Sequence, residues 1–201
     1  MARIAAEPIR RAEIVKATIQ EIGRAGSLEV TVAQIARRAG VSAALAHHYF
    51  GSKESIFIAA MRHVLSIFGA EVRGALLTAS DPKSRIEAIL QACFAPGSFR
   101  REVVAAWLNF YVLAQSEPEA RRLLLIYHRR LHSNLLHELR PLLGRRAPMV
   151  AESMAGLIDG VYLRAALASG QGGKGVAPDR ARAMALLLDH LDRELTLGER
   201  A

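Results

Sequence analysis

No other segment restricts the possible folds as strongly as residues 31–53, TVAQIARRAGVSAALAHHYFGSK. Thr31 followed by Gln34 has the spacing of a capping box, in which two side chains satisfy free backbone N–H groups at a helix start. Gly40 and Ser42 then mark a tight turn and the N-cap of a second short helix. Two helices joined in this way, with small residues opening the second, are typical of the helix-turn-helix, whose second helix enters the major groove of DNA.

The same spacing also fits an ordinary corner between two packed helices. The DNA-binding interpretation is favoured because the turn occurs together with the capping signals, the basic pair Arg37-Arg38 and the polar, aromatic end His47-His48-Tyr49.

The rest of the chain shows helical periodicity. A first helix is predicted at about residues 8 to 25, with Pro8 in its first turn, and Ser52 is the predicted cap of a fourth helix. Turn signals follow at residues 80–82, 95–97, 117–118, 141–148 and 169–178. Because no stretch alternates apolar and polar residues for long, the predicted fold is all-α. Residues 1–53 form an N-terminal three-helix domain, the fourth helix is the connector, and residues 54–201 form a larger helical domain.

Composition agrees with a packed, soluble fold that has a polyanionic partner. The chain has 201 residues, 51% of them hydrophobic, and a net charge of +8, from 27 basic and 19 acidic residues. Such an excess favours nucleic acid or an anionic membrane. However, residues 1–53 contain 8 basic and 4 acidic residues, a charge of +4, whereas residues 121–146 contain seven arginines and one acid, Glu138, a charge of +6. The motif, rather than the charge, therefore indicates DNA.

Uncharged stretches in the middle of the chain are short. Residues 103–116 are uncharged, but a spanning helix needs about 20 apolar residues. The N-terminus lacks the apolar core of a secretory signal, and the single cysteine, Cys93, excludes an intrachain disulfide. We therefore expect no membrane segment and a cytoplasmic location.

Residues 31–42, T-V-A-Q-I-A-R-R-A-G-V-S, and the following H-Y-F-x-S-K resemble the DNA-binding signature of TetR-type transcriptional repressors. This resemblance implies an all-helical dimer with a ligand-binding and dimerisation domain in residues 54–201. Four further segments are similar to one subgroup, the choline-responsive BetI-type repressors of glycine-betaine synthesis. They are residues 9–11, 106–110, 130–135 and 157–167.

The resemblance also implies roles for individual residues. Thr31 and Lys53 would contact phosphates near helix N-termini, which agrees with the chemistry of a hydroxyl and an ammonium group. The DNA-facing helix would present Ser42, Ala43, Ala44, His47, His48 and Tyr49. Gln34, Arg37 and Arg38 are further candidates, although the two arginines could equally form a solvated helix face. The sequence departs from the family pattern at two positions of this helix, since Ala44 stands where glycine is usual and His47 where tyrosine is common.

Aromatic residues provide a second candidate site. Trp107, Phe110 and Tyr111 share one helix face, and Tyr127, Tyr162 and the carboxylate of Asp159 lie on other predicted helices. Aromatic faces bind quaternary ammonium groups through cation–π attraction, worth roughly 0.5–2 kcal/mol per ring, and a nearby carboxylate balances the charge. The alternatives are that these rings are plain core and that Asp159 forms a structural ion pair with Arg164.

The last two predicted helices, at about residues 148 to 169 and 178 to 196, have wide apolar faces. In the resembled family this pair forms the dimer interface, and a two-fold dimer would match a palindromic operator. The alternative is that both helices only close the monomer core.

His128 and His132 have the spacing of metal ligands but no further ligand motif, so a solvated face is favoured and no metal site is predicted. No catalytic motif is present, and no cofactor is expected. The sequence therefore predicts a homodimeric, non-enzymatic repressor that binds double-stranded operator DNA and responds to a small cation, most simply choline. A drug- or lipid-responsive regulator and a helical enzyme or interaction module with a chance turn motif are the alternatives.

Overall fold

A computed structural model describes residues 2–168 and 177–198 of the chain, and the predicted turn at residues 169–178 lies almost entirely outside them. The described residues contain nine α-helices, one short 3-10 turn and no strand, which confirms the predicted all-α class. The helices are α1 (Ala2–Ala25), α2 (Val32–Ala39), α3 (Ala43–Phe50), α4 (Lys53–Leu76), α5 (Pro82–Cys93), α6 (Arg101–Ser116), α7 (Pro118–Leu143), α8 (Ala147–Ala168) and α9 (Arg180–Gly198); the 3-10 turn is Gly144–Arg146.

Two predictions based on proline were wrong. Helix α1 begins at Ala2, so Pro8 lies inside the helix rather than in its first turn, and Pro141 lies inside α7 rather than in a turn. A proline removes one backbone hydrogen bond, to the carbonyl four residues earlier, and a helix end near it tolerates that loss. Helix α7 stops instead at Gly144, which adopts a positive φ of 52°.

Helices α1 to α3 form the N-terminal bundle, and α4 leads from it into the larger domain. Helix α1 packs against α2, α4 and α6, while α7 packs against α5, α6 and α8. The core is continuous across both parts, because nearly all of its buried apolar side chains form one cluster. Its largest fully buried members include Phe94, Phe110, Ile14, Ile22, Ile35, Ile56, Met61, Leu131 and Leu135.

Among the described residues, helix α4 is long and apolar enough, with a mean hydropathy of 1.4 in its most apolar window, to span a membrane by length and composition. The expectation of no membrane segment was drawn from uncharged stretches alone and missed this helix. Core helices of soluble proteins have the same properties. Helix α4 packs against α1, α5 and α7 and buries Ile56, Phe57 and Met61, which favours a core helix.

A partly buried ion pair fixes the end of α4. The guanidinium of Arg85 donates to Glu138 at 2.8 Å and to the carbonyl oxygens of Leu76 and Ala79 at 3.2 and 3.4 Å. Glu138 is buried, so this pair satisfies a carboxylate that would otherwise be costly to remove from water. The contact joins the C-terminal end of α4 to α5 and α7.

Candidate nucleic-acid interface and effector site

The turn between α2 and α3 has the predicted geometry. The backbone N–H of Gln34 donates to Thr31 Oγ1 at 3.2 Å, and the Thr31 N–H donates to Gln34 Oε1 at 2.7 Å, which completes the capping box. Gly40 adopts a φ of 68°, and the N–H of Val41 donates to the Ala36 carbonyl at 3.0 Å. Only glycine takes this left-handed conformation without strain, so Gly40 sets the angle between the two helices.

Helix α3 presents one polar, solvent-exposed face. Ser42, Ala44, His47 and His48 are exposed, and the last three share a face because they are spaced three and four residues apart. Ser42 Oγ caps the helix by accepting the Leu45 N–H at 3.1 Å. This exposed face belongs to a short helix, and a helix that reads base edges in the major groove must present such a face.

The two other candidates on α3 are partly enclosed. Ala43 is half-buried against the bundle, and Tyr49 is half-buried with its ring 5.6 Å from that of His48. The guanidinium of Arg11 donates to the Tyr49 carbonyl and lies 4.7 Å from the centroid of the Phe50 ring. Arg11 thus attaches α1 to the end of α3, a role that the sequence did not reveal because the two residues are far apart in the chain.

The basic candidates differ from one another in their surroundings. Arg37 is exposed, whereas Arg38 forms an ion pair with Glu21 of α1, a residue that also binds Arg24 at 3.1 Å. Burial alone would raise the pKa of the Glu21 carboxyl, but the two arginines outweigh it and hold the pKa below its usual range. Arg38 therefore braces α2 against α1.

Lys53 begins α4, and its ammonium lies 5.3 Å from the centroid of the Phe57 ring. Its first-turn position is compatible with phosphate contact, since the N-terminus of a helix carries partial positive charge.

The aromatic candidates converge in the larger domain. A cavity of about 220 Å³ lies between α6 and α8. Its lining residues are Trp107, Leu108, Tyr111, Asp159, Gly160, Tyr162 and Leu163. The structure therefore brings four of the six predicted ligand residues to one cavity, from positions up to 55 residues apart in the sequence.

The remaining two lie behind the cavity wall. The ring of Tyr127 packs edge-on against Trp107 with centroids 4.9 Å apart, and it lines a narrower space of about 20 Å³, which is room for about one water. Phe110 is fully buried 6.3 Å from Trp107 and lines neither space. Both residues support the indole of Trp107 rather than facing the larger cavity.

Asp159 is the charged group of this cavity. Tyr111 Oη donates to Asp159 Oδ1 at 2.8 Å, and His128 Nε2 lies 3.5 Å from Asp159 Oδ2 and 3.1 Å from Tyr111 Oη. Burial raises the pKa of the Asp159 carboxyl, and the Tyr111 hydrogen bond and His128 offset this only in part. The neighbouring groups thus stabilise the ionised carboxylate only in part.

Sequence reasoning missed several residues of this site. Leu108, Gly160 and Leu163 line the cavity, but apolar residues and glycine carry no chemical signal in a sequence. His128 was assigned to a solvated face, yet it contacts Tyr111 and Asp159, and the ion pair considered between Asp159 and Arg164 is not formed. Within the described ranges, no group of three or more His, Cys, Asp or Glu residues could hold a metal.

Helix α6 joins this cavity to the N-terminal bundle. It carries Trp107 and Tyr111, and its first turn packs directly on α1 at Gly23. A Cβ atom at Gly23 would lie 2.5 Å from the carbonyl oxygen of Glu102, so only glycine permits this close approach. The fourth helix is the predicted connector of the two parts, and the structure adds a second direct contact between them through α6.

Two arginines of the arginine-rich segment at residues 121–146 form contacts that hold other elements in place. Arg121 donates to the carbonyl oxygens of Ala114 and Gln115 at 3.1 and 2.9 Å, which caps the end of α6. Arg146 binds Glu194 and so attaches the 3-10 turn to α9. The other five arginines of the segment are exposed.

Two family models match this chain, and together they span both parts of the structure. Residues 14–60 match the model for bacterial regulatory proteins of the tetR family, and residues 82–196 match the model for the C-terminal domain of BetI-type transcriptional repressors. The chain belongs to the TetR family. It is a DNA-binding transcriptional regulator with a BetI-type C-terminal domain.

Relatives of this TetR-family regulator match along its whole length. The HTH-type transcriptional regulator BetI of Brucella canis is 48% identical over 98% of this chain and 96% of the relative. The BetI regulator of Agrobacterium fabrum is 46% identical over 97% and 92%. A transcriptional regulator from Saccharomonospora viridis, solved in complex with choline, has a TM-score of 0.78 at 22% identity and covers 90% of this chain and 95% of that one. This likeness confirms the fold.

Proposed function

We propose that this regulator represses glycine-betaine synthesis genes and that a small quaternary ammonium ion, choline, controls its binding to the operator. The carboxylate of Asp159, incompletely stabilised in a cavity beside the rings of Trp107, Tyr111 and Tyr162, is the observation that supports this ligand. The choline bound in the structure of the Saccharomonospora viridis protein and the names of the relatives agree with it.

The size of the cavity favours a small cation over the drug- or lipid-responsive alternative. Its volume of about 220 Å³ is below the roughly 300–1,000 Å³ of typical drug-sized sites. Aromatic faces attract the positive charge spread over the methyl groups of a quaternary ammonium, and the carboxylate adds a direct charge interaction. A neutral ligand of the same shape would gain neither the attraction to the aromatic faces nor the interaction with the carboxylate.

Control of DNA binding follows from linkage between the two sites. A ligand lowers operator affinity only to the extent that it binds the non-DNA-binding arrangement more tightly, and a shift from 1:99 to 99:1 needs about 5.5 kcal/mol of differential affinity. Helices α4 and α6 carry the coupling in this proposal, since both extend from the effector region to α1.

Choline is expected to change operator affinity, whereas its neutral isostere 3,3-dimethylbutan-1-ol should not. The isostere has the same shape but lacks the charge that Asp159 and the rings recognise. The measurement is a titration of each compound into the protein–operator complex, followed by fluorescence anisotropy. Equal effects of the two compounds, or no effect of saturating choline, would overturn the ligand assignment and leave DNA binding intact.

The DNA contact is proposed to use the exposed face of α3. Ala44, His47 and His48 would approach base edges, Ser42, Thr31 and Lys53 would contact phosphates, and Arg37 would add a further phosphate contact. Ala43, Tyr49, Gln34 and Arg38 would act mainly by holding the two helices in position.

The variant His47→Ala is expected to lose specific operator binding by about 10- to 100-fold, corresponding to the 1–3 kcal/mol of one base contact. His47 is exposed, and its Nδ1 contacts only the Gly51 carbonyl at 3.2 Å, so the fold should persist. His137→Ala, which alters an exposed histidine on α7, is the matched control. Electrophoretic mobility shifts with operator and random DNA test this, and an unchanged ratio of the two affinities would remove His47 from the reading face.

The regulator is further proposed to act in the cytoplasm as a non-enzymatic homodimer through α8 and α9. Met149, Leu186 and Leu197 are 65%, 48% and 53% exposed on these helices, an arrangement that is costly unless a second copy covers them. Two copies related by a two-fold axis would place their α3 helices on operator half-sites one helical turn apart.

A further inference from the structure

A second cavity lies between the N-terminal bundle and the larger domain. This interdomain cleft, with a volume of about 770 Å³, is bounded by α1, α4, α6 and the C-terminal end of α8. It is separate from the cavity of about 220 Å³ that contains Asp159, called the effector cavity below, since the two share only Leu108 among their lining residues. Helix α3 does not line the cleft, so its walls are distinct from the DNA-reading face.

One part of the interdomain cleft is strongly basic. Lys16, Arg24, Arg38 and Arg100 all contribute to its wall, and Glu102 is the acidic residue there. Arg24 and Arg38 are paired with the buried Glu21, but Lys16 and Arg100 are exposed and form no ion pair with another described residue. A cleft with this excess of positive charge repels a cation such as choline and attracts an anion.

Another part of the same cleft is apolar. Leu108 follows Glu102 by six residues on α6, which places it about 9 Å further along the helix axis, away from the Gly23 contact. Leu167 of α8 and Ile67 of α4, residues that are 69% and 41% exposed, also line the cleft. Exposed apolar surface beside a basic cluster is typical of a site for a ligand with both characters.

We propose that the interdomain cleft binds an amphipathic anion, a carboxylate with an unbranched apolar chain about 9 Å long. The carboxylate lies between Lys16 and Arg100, and the chain extends along α6 to Leu108 and Leu167. Such a ligand contacts both domains at once, unlike choline in the effector cavity. The site is independent of the proposed function, because it requires neither the aromatic rings nor Asp159.

Octanoate, whose chain has about this length, is the probe. Isothermal titration calorimetry of the full-length protein in saturating choline is expected to show octanoate binding, with much weaker binding of acetate, which lacks the chain. Octyltrimethylammonium, with the same chain and the opposite charge, should also bind much more weakly. The variant Arg100→Glu is expected to weaken octanoate binding at least tenfold, whereas Arg140→Glu, a charge reversal on the exposed surface of α7 outside the cleft, should leave it unchanged.

Choline affinity and circular dichroism provide the check on folding, and both should be the same in Arg100→Glu as in the wild type. If Arg100→Glu is not folded, Lys16→Glu replaces it. Octanoate affinity that is equal in wild type and the folded charge-reversal variant would overturn the proposal, as would equal binding of the two charged probes. Octanoate affinity that falls as protein concentration rises would show that a second copy fills the cleft, and it too would contradict the proposal.

Discussion

Replacing Asp159 with asparagine is expected to weaken choline binding by about 10- to 100-fold, or ~1.4–2.8 kcal/mol, without lowering the stability of the protein. A unit charge pair about 4 Å apart is worth about 4 kcal/mol at an effective dielectric constant of 20, part of which is spent on desolvation. Asparagine retains an oxygen that can accept the Tyr111 hydrogen bond but loses the charge. Calorimetric titration with choline and thermal unfolding measure the two effects.

The expected stability follows from the direction of the pKa shift. Because the folded-state pKa of Asp159 is raised, the folded protein binds this proton more tightly than the unfolded chain does. Stability therefore falls as pH rises from the unfolded pKa through the folded pKa, and the ionised carboxylate destabilises the fold at neutral pH. Asp159→Asn should thus unfold at the same or a higher temperature. A lower unfolding temperature would indicate that Asp159 is a structural residue.

The raised pKa of Asp159 also predicts how choline binding depends on pH. Wild-type affinity should fall as pH decreases into the raised titration range of Asp159, because protonation removes the negative charge that the cation needs. The choline affinity of Asp159→Asn should depend less on pH than that of the wild type. Glu152→Gln, which removes an exposed carboxylate from the same helix, is the matched control and should behave like the wild type.

Gly23→Ala is expected to destabilise the protein by about 1–3 kcal/mol, as overpacking in a well-packed contact does. The new Cβ atom would lie 2.5 Å from the Glu102 carbonyl oxygen and 2.6 Å from its Cα, and these are backbone atoms that cannot rotate away. Helices α1 and α6 must therefore separate. At roughly 2–4 °C per kcal/mol for a chain of this size, the unfolding temperature should fall by about 2–12 °C.

Gly74→Ala is the matched control for this experiment. Gly74 is exposed on α4, and a Cβ atom there has nothing within 4 Å, so alanine should be neutral or stabilise the helix by up to ~1 kcal/mol. Since α6 carries three cavity residues, Gly23→Ala should also reduce the effect of choline on operator affinity. If Gly23→Ala unfolds at the same temperature as Gly74→Ala and responds normally to choline, the α1–α6 contact has no part in stability or coupling.

Local sequence signals determine the helix-turn-helix of the N-terminal bundle. The capping box, Gly40 and the Ser42 cap act within a few residues of the chain, so both ends of α2 and the start of α3 agree with the sequence to within one residue. The two predictions based on Pro8 and Pro141 were wrong because each proline removes only one backbone hydrogen bond, a loss that a nearby helix end tolerates.

The sequence by itself therefore determined the all-helical class, the helix-turn-helix and the residue types needed to bind a cation. Only the tertiary structure decided which of those residues share a cavity, because Trp107 and Asp159 lie on helices far apart in the sequence and meet only when α6 packs against α8. It also decided that Phe110 and Tyr127 lie behind the cavity wall and that His128 contacts Asp159. The contact of Gly23 with α6 also depends on packing, because the sequence around a glycine inside a helix does not indicate which backbone lies against it.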